Sequence, residues 1–287
     1  MSDAEAVRYD RQIRLWGKST QQQLSHTSVI FEGIAGAAAE AAKNLVLAGV
    51  GGVAVVDAAA LSEADAKDNF LMQGEPGDTR AARAVRALHR LNPYVRVCGS
   101  AAELKQEGAV VRVVAISSLD EGSAYVEEAA ALPPALLVLH ATLANTVVAF
   151  VLYRKLALSS CTLAEQWRRL VADPLLLSEK PAAYQRVILS LYLRNEGASR
   201  VTFAEAAAKA YEWMDTLRLH QLCAADVEKA LRAPAEAASA VCATAAGACV
   251  AQHLIRQIGS LQEKADAQAY RWLACATEGG VECLVGV

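Results

Sequence analysis

Two glycines and an aspartate form the pattern in this 287-residue chain that could hold a nucleotide. Gly33 and Gly36 stand between a predicted strand and a predicted helix, and Asp57 ends the next predicted strand, 21 residues beyond Gly36. A turn from a strand into a helix brings backbone N–H groups and the positive end of the helix dipole to the place where phosphates bind. A carboxylate after the following strand can accept hydrogen bonds from ribose hydroxyls. The spacing is therefore compatible with a dinucleotide or ATP site.

The same turn departs from a complete nucleotide-binding fingerprint. Ala35 and Ala38 stand where the fingerprint prefers glycine, and their methyl groups would push a phosphate away from the backbone. Gly33 and Gly36 could instead serve only to let the helix pack closely on the strand. The residues alone leave both interpretations open.

Cysteine and histidine do not form a recognisable catalytic or metal-binding pattern. Cys242 and Cys249 lie seven residues apart on an alanine-rich predicted helix, which is typical of small core residues. No C-x-x-C, H-x-x-x-H or G-x-S-x-G run occurs, so we expect no metal centre, catalytic thiol or serine nucleophile. The remaining cysteines and the histidines are Cys98, Cys161, Cys223, Cys275, Cys283, His26, His89, His140, His220 and His253.

Composition limits the partners of the chain. The 28 Lys and Arg and 31 Asp and Glu give a formal charge of −3, so we expect no nucleic-acid partner. Residues 129–153 carry no charged side chain, but Pro133 and Pro134 interrupt them, and we expect no membrane span. The acidic residues 1–7 lack the layout of a secretory signal, and the odd number of scattered cysteines favours a reducing compartment.

Strands that alternate with helices predict an α/β fold with a doubly wound, mostly parallel sheet. A short N-terminal helix is expected to end near Gly17. The predicted strands are 28–32, 53–56, 95–98, 110–116 and 135–140, and the predicted helices between them are 37–48, 79–91 and 120–131.

The pattern becomes helical after residue 153. Predicted helices at 163–172, 183–195, 203–217 and 236–258 are followed by two short strands, 269–276 and 281–285. We therefore expect a Rossmann-like region, 1–153, and a helical region with a terminal hairpin, 154–287, which completes the same domain.

Two motifs resemble the ThiF-type adenylation domain of ubiquitin-like-protein activating enzymes. They read Y-D-R-Q-I-R-L-W-G at residues 9–17 and K-N-L-V-L-A-G-V at residues 43–50. The tripeptides 69–71 and 91–93 also fall where that family has them. The closing G-V-E-C-L, at 280–284, resembles the smaller, Aos-type subunits of SUMO-activating enzymes within the family. The resemblance is strong over residues 8–98, good from 236 onward and faint over 142–232.

The resemblance implies a heterodimer in which the larger subunit alone holds ATP and magnesium and adenylates the modifier. The phosphate-binding and metal-binding residues of such an active half are altered in this chain. The Asn-Arg-Gln run of an active half aligns with Lys67-Asp68-Asn69, and the phosphate-binding lysine aligns with Arg80. The metal-binding Asp-Asn pair of an active half falls near Ser118-Leu119, where Asp120 is the nearby acid. Asp68 would repel a triphosphate where an arginine should attract it. The resemblance therefore implies that this chain binds no cofactor or metal of its own, and that Gly33, Gly36 and Asp57 are remnants.

The resemblance also gives Arg11 a role. In the family, the arginine of the D-R-Q motif reaches the ATP of the other subunit and neutralises phosphate charge in trans. Without the motif, Arg11 and Arg14 would be interpreted as the solvated face of a helix. The expected function is that of the non-catalytic subunit of a SUMO-activating heterodimer, in the nucleus and also the cytoplasm. Its partners would be the larger catalytic subunit and, through the complex, a SUMO-type modifier.

Three alternatives remain at this point. The regulatory subunit of a Nedd-type activating enzyme is normally much longer. A nicotinamide-dependent oxidoreductase would use Gly33, Gly36 and Asp57, but a catalytic Tyr-Lys pair or histidine is not identifiable. A solitary sulfur-carrier adenylyltransferase needs the charged set that is altered here. Residues 142–154 also depart from the family, which has glycines there, and could form a buried strand or a helix.

Overall fold

The computed structural model describes twelve segments of the chain, within which helices and strands are assigned. These segments are 3–73, 78–104, 108–116, 121–122, 124–125, 136–143, 146–153, 182–195, 201–232, 240–260, 270–276 and 282–286. The helices are α1 Asp3–Arg8, α2 Asp10–Ser25, α3 Ala37–Ala48, α4 Glu63–Asp68, α5 Arg80–Leu91, α6 Ala182–Asn195, α7 Phe203–Thr216, α8 Ala224–Arg232 and α9 Ala240–Ser260. The strands are β1 Ser28–Glu32, β2 Gly52–Val56, β3 Arg96–Cys98, β4 Val110–Ala115, β5 Leu136–Leu143, β6 Thr146–Tyr153, β7 Tyr270–Ala276 and β8 Glu282–Gly286.

These strands form one sheet in the order β3-β2-β1-β4-β5-β6-β7-β8. The pairs from β3 to β5 are parallel, whereas β6, β7 and β8 join antiparallel. The predicted α/β fold with a mostly parallel sheet is confirmed. The strand order reverses beside β1, since β2 lies on one side of it and β4 on the other. In open α/β sheets, ligands bind at the carboxyl ends of the strands at such a switch point.

The main core lies between one face of the sheet and the helices α3, α5 and α9. Alternate residues of the central strands point to this face, as the two-residue period of a strand requires. Apolar side chains that are fully or almost fully buried form it, among them Val29, Phe31, Val53, Val55, Val111, Val113, Leu45, Leu88 and Leu254. The small residues of α3 and α9 bring the two helices close together, and Cys242 packs against Ala37 and Ala246. The predicted core position of Cys242 is confirmed, whereas Cys249 is only half-buried.

The N-terminal helical segment is broken where the sequence predicted a helix end. At Gly17, φ is 89° and ψ is 159°, which are not helical values, so α2 consists of a first half that ends there and a second half that runs to Ser25. Glycine adopts this conformation without the strain that a Cβ would cause. The helix resumes because its second half has contacts of its own, with the Thr20 side chain against Gly259 of α9. The predicted helix end near Gly17 is confirmed, and the second helical half, up to Ser25, was not predicted.

The other differences are smaller. Residues 146–153 form strand β6, which resolves the choice between strand and helix left open for this stretch. Helix α8, which has nine residues, was not predicted. The predicted helices 120–131 and 163–172 lie outside the described residues, apart from 121–122 and 124–125. Within the described segments, no helix is both long enough and apolar enough to span a bilayer.

The contact between α3 and α9 predicts that Gly247→Ala destabilises the protein. An added Cβ would lie 2.6 Å from Glu40 Cβ and would also meet the carbonyl oxygen of Ala37. Because backbone atoms of α3 cannot move aside singly, we expect urea denaturation to show a loss of about 1–3 kcal/mol. Gly99→Ala is the matched control, since no atom of the described segments lies within 4 Å of a Cβ there. Equal stability of the two variants would contradict the close packing of α3 on α9.

Candidate functional site

The glycine turn lies at the switch point of the sheet, between β1 and α3. Gly33 and Gly36 have φ values of +86° and +56°, which L side chains rarely adopt. A Cβ on Gly33 would also lie 3.0 Å from Ala115 Cβ in β4. The Gly33 N–H donates to the carbonyl of Val56 at 3.0 Å. The predicted strand–turn–helix unit is therefore present, and both glycines have a backbone reason that is independent of any ligand.

Asp57 already has hydrogen-bond donors within the chain. Its Oδ2 accepts from the N–H of Ile34, in the glycine turn, at 3.0 Å. Its Oδ1 accepts from the N–H of Ala59, also at 3.0 Å. The Ile34 N–H, one of the groups that could have faced a phosphate, is thus bonded to a carboxylate. A negative charge in this place opposes the binding of a second anion.

Arg80, the residue aligned with the phosphate lysine, is paired with an acid. Its Nε lies 2.9 Å from Oδ2 of Asp65, and both side chains are largely buried. Asp65 also belongs to a capping box at the start of α4, in which Ser62 donates to the carboxylate through its N–H and its hydroxyl. Burial alone would raise the pKa of Asp65, but the hydrogen bonds from Ser62 and the charge of Arg80 outweigh it and lower the pKa. The Arg80 charge is therefore neutralised within the chain.

Two further polar residues border the turn. Glu32, which ends β1, accepts from the guanidinium of Arg112 in β4, with Nη2 and Oε1 2.6 Å apart. Asn69, the last residue of the run 67–69, donates from Nδ2 to the Ile34 carbonyl at 3.5 Å. The side chains of Lys67 and Asp68 and the residues 117–120 lie outside what the structure describes.

The described cysteines and potential metal ligands do not form a second site. Burial raises the pKa of the Cys98 thiol, which disfavours the reactive thiolate. The thiol of Cys223 is exposed and donates to Asp226 at 3.1 Å. Among the residues that the structure describes, no group of three or more His, Cys, Asp or Glu side chains could hold a metal ion.

Arg11 differs from the cations around the turn because it is exposed and has no partner among the described residues. Arg14, on the same helix, forms an ion pair with Asp10 at 2.9 Å. Within the described segments, Arg11 has no hydrogen bond or ion pair. Val7 and Leu15, four residues before and after it, are both 79% exposed. A free guanidinium therefore lies between two exposed apolar side chains on the surface of the N-terminal helices.

At the start of α2, residues from separate family motifs are hydrogen-bonded to one another. Tyr9 is 3% exposed, and its hydroxyl accepts from Nδ2 of Asn92 at 2.8 Å. The same amide nitrogen donates to the carbonyl of Val46 near the end of α3, at 2.7 Å. We call these three residues, with Gly49, the tyrosine lock. The sequence motifs contained Tyr9, Gly49 and Asn92, but one sequence gave no sign that they meet.

The sheet order and the strand–turn–helix unit define an α/β protein. Residues 9–120 match the ThiF family. Over 108 residues the chain is 39% identical to SUMO-activating enzyme subunit 1 of Xenopus laevis, a match that covers 37% of this chain and 31% of that protein. It is 42% identical over 98 residues to SUMO-activating enzyme subunit 1 of Homo sapiens, covering 34% and 28%. The resemblance drawn from the motifs is confirmed, and the matches span about a third of the relatives' length.

Solved structures show the same fold over a longer range. PaaA has a TM-score of 0.61 at 13% identity, covering 100% of this chain and 84% of its own. MccB of E. coli has a TM-score of 0.61 at 15% identity, covering 100% of this chain and 70% of its own. Identities this low show the fold alone.

The pairing of Asp65 predicts a pH-dependent effect of Asp65→Asn. A lowered pKa means that the carboxylate stabilises the folded state above its ordinary pKa of 3.8, and that this contribution is lost as the pH falls through the lower folded value. We expect the variant to lose about 1–2 kcal/mol at pH 7 in urea denaturation, and less below pH 4. Glu63→Gln, an exposed acid in the first turn of the same helix, is the control and should change little. A difference that stays constant between pH 7 and pH 3 would contradict the assignment.

Proposed function

We propose that this chain is the non-catalytic subunit of a heterodimeric SUMO-activating enzyme. It supports ATP-dependent adenylation of the modifier's C-terminus in the larger subunit and supplies Arg11 to the ATP held there. The observation that carries the proposal is the free, outward-facing guanidinium of Arg11 on a helix whose inner face is locked to the domain. ATP and magnesium are then ligands of the partner, and this chain alone is inactive.

The charges around the glycine turn support the proposal that ATP binds to the larger subunit and not to this chain. The turn contains a carboxylate, Asp57, that accepts the N–H of Ile34, and the cation aligned with the phosphate lysine is paired with Asp65. A nucleotide would have to displace both interactions and approach Glu32 as well. Since unpaired buried charges cost several kcal/mol, the turn is a poor nucleotide site in this arrangement. The residues present thus do not fit ATP, and no step of the reaction is assigned to this turn.

The chemistry of arginine supports a role in trans. A guanidinium keeps its charge at every working pH and can grip phosphate oxygens with two parallel hydrogen bonds. Arg11 has no ion pair to break within the described residues, so it can bind a partner's ligand without that cost. Arg14 would have to leave Asp10.

The surroundings of Arg11 support a protein partner. Val7 in α1 and Leu15 in α2, four residues before and after Arg11, are both exposed apolar side chains. Apolar side chains beside an arginine are typical of the centre of protein interfaces. The proposed partner is the larger catalytic subunit, with the SUMO-type modifier bound through the complex, in the nucleus and also in the cytoplasm.

Arg11→Ala tests the role in trans. The assay uses the reconstituted complex of this chain, the larger subunit, the modifier and ATP. We expect the rate of ATP–pyrophosphate exchange to fall about 30- to 1,000-fold, which corresponds to a loss of about 2–4 kcal/mol of transition-state stabilisation. Arg14→Ala, on the same helical face, is the matched control and should leave the rate within about twofold. An unchanged rate for Arg11→Ala would remove the arginine from the reaction.

The separated chain tests the other half of the proposal. Isothermal titration of the chain alone with magnesium and ATP should give no binding at concentrations up to about 1 mM. Reduced nicotinamide cofactor, titrated by fluorescence, should not bind either. Micromolar ATP binding that Asp57→Ala abolishes would contradict the proposal, and so would pyrophosphate exchange without the larger subunit.

A further inference from the structure

We propose that Tyr9 and Asn92 are positioning residues for Arg11, acting through the tyrosine lock. The inference rests on the proposed function, since it concerns how the arginine is aimed at a partner's nucleotide. Tyr9, the N-cap residue of α2, stands two residues before Arg11 and is buried, whereas Arg11 is exposed. Tyr9 holds the backbone from which the Arg11 side chain extends, and it touches no ligand itself.

The lock joins three elements at one buried point. Asn92 is fully buried, and its Nδ2 donates both to the Tyr9 hydroxyl and to the carbonyl of Val46, at 2.8 Å and 2.7 Å. Its Oδ1 accepts from the N–H of Tyr94 at 3.2 Å. The side chain thus connects the start of α2, the end of α3 and the segment after α5. Hydrogen bonds are directional, so this arrangement defines one orientation of the tyrosine.

The tyrosine ring packs closely against Gly49. A Cβ on Gly49 would lie 2.5 Å from Cζ of Tyr9, so the ring rests directly on the backbone at the end of α3. Gly49 has a φ of +84° and ends that helix in the left-handed conformation. Gly49 therefore ends α3 and also allows the Tyr9 ring to pack directly on the backbone.

Additional anchors lie on both sides of Arg11. Arg8 donates from Nη2 to the carbonyl of Leu91 at 2.8 Å. Gln12 donates from Nε2 to the carbonyl of Leu47 at 3.2 Å. Since residues on either side are bonded to the domain, the backbone of Arg11 is held and its side chain points outward.

The break at Gly17 makes the first half of α2 depend on these anchors. The second half is held by Gln21, which donates to the carbonyl of Ala48 at 2.8 Å. The Trp16 indole, at the end of the first half, donates to Gln21 at 3.1 Å across the break. An unbroken helix would fix residues 10–16 through its own backbone bonds. With the break, their direction is defined by side-chain anchors at the two ends, the tyrosine lock before Arg11 and Trp16 after it.

Tyr9→Phe is the test, because it removes the hydroxyl and keeps the ring on Gly49. In the reconstituted complex we expect kcat for ATP–pyrophosphate exchange to fall about 3- to 10-fold, with the KM for the modifier unchanged. In an Arg11→Ala background, the same substitution should cause no further fall, because its effect passes through the arginine. Tyr94→Phe, an exposed tyrosine in the segment beside Asn92, is the matched control and should leave kcat unchanged.

Hydrogen–deuterium exchange of the chain without partner or nucleotide provides a readout independent of activity. Tyr9→Phe should speed exchange in residues 10–16 and leave residues 18–25 as protected as in the wild type. Tyr94→Phe should change neither segment. Equal loss of protection in both halves of α2 would mean that the hydroxyl stabilises the whole domain, and it would overturn the positioning role.

The kinetic outcomes separate the two proposals. If Arg11→Ala lowers the rate and Tyr9→Phe adds its own factor on top, the effects are independent and the lock does not position the arginine. If Tyr9→Phe alone leaves kcat unchanged while Arg11→Ala lowers it, the positioning role is likewise refuted and the role in trans stands. If Arg11→Ala has no effect, the proposed function fails, and the positioning role fails with it.

Discussion

The carbonyl groups that end helix α3 are the constraint on which the described arrangement depends. The last four carbonyls of a helix have no partner inside it, and a buried carbonyl without a donor costs about 1–3 kcal/mol. Here Leu45 and Val46 receive backbone N–H groups of the Gly49–Val50 segment, Val46 also receives the Asn92 amide, and Leu47 and Ala48 receive the side chains of Gln12 and Gln21. Three of these donors come from other elements. The N-terminal helix therefore lies across the end of α3, where its glutamines satisfy two of these carbonyls, and Arg11 and Leu15 on its other side are exposed.

The two ends of α3 have different chemical surroundings. At its N-terminus, where a Rossmann-like turn would receive a phosphate, Asp57 accepts a backbone N–H and Asp65 neutralises Arg80. At its C-terminus, the lock holds α2 so that Arg11 is free. The proposed roles follow from this difference. Asp57, Asp65 and Arg80 near the turn interact with groups of this chain, whereas the charge of Arg11 at the surface is available to a partner. In the proposed division of roles, these pairings are what would keep a nucleotide away from this chain's own turn.

The sequence predicted local features well and distant pairings poorly. The unit from β1 to β2 was predicted with bounds within one residue, because its apolar runs and glycines act over a few positions. The helix end at Gly17 was predicted, whereas the second half of α2 was not, since the contacts that hold it come from α9. Tyr9 and Asn92 are 83 residues apart, and neither carries a local sign of the other. The partner of Arg80 could have been found: Ser62 and Asp65 have the spacing of a capping box, which predicts the helix that holds the acid.

The structure of the assembled complex with magnesium and ATP tests the central claim most directly. The account predicts nucleotide density in the larger subunit, with the guanidinium of Arg11 within hydrogen-bonding distance of a phosphate oxygen. It also predicts that Asp57 still accepts the Ile34 N–H and that Arg80 still pairs with Asp65. A triphosphate beside Asp57, or an Arg11 side chain directed away from the partner's nucleotide, would contradict it.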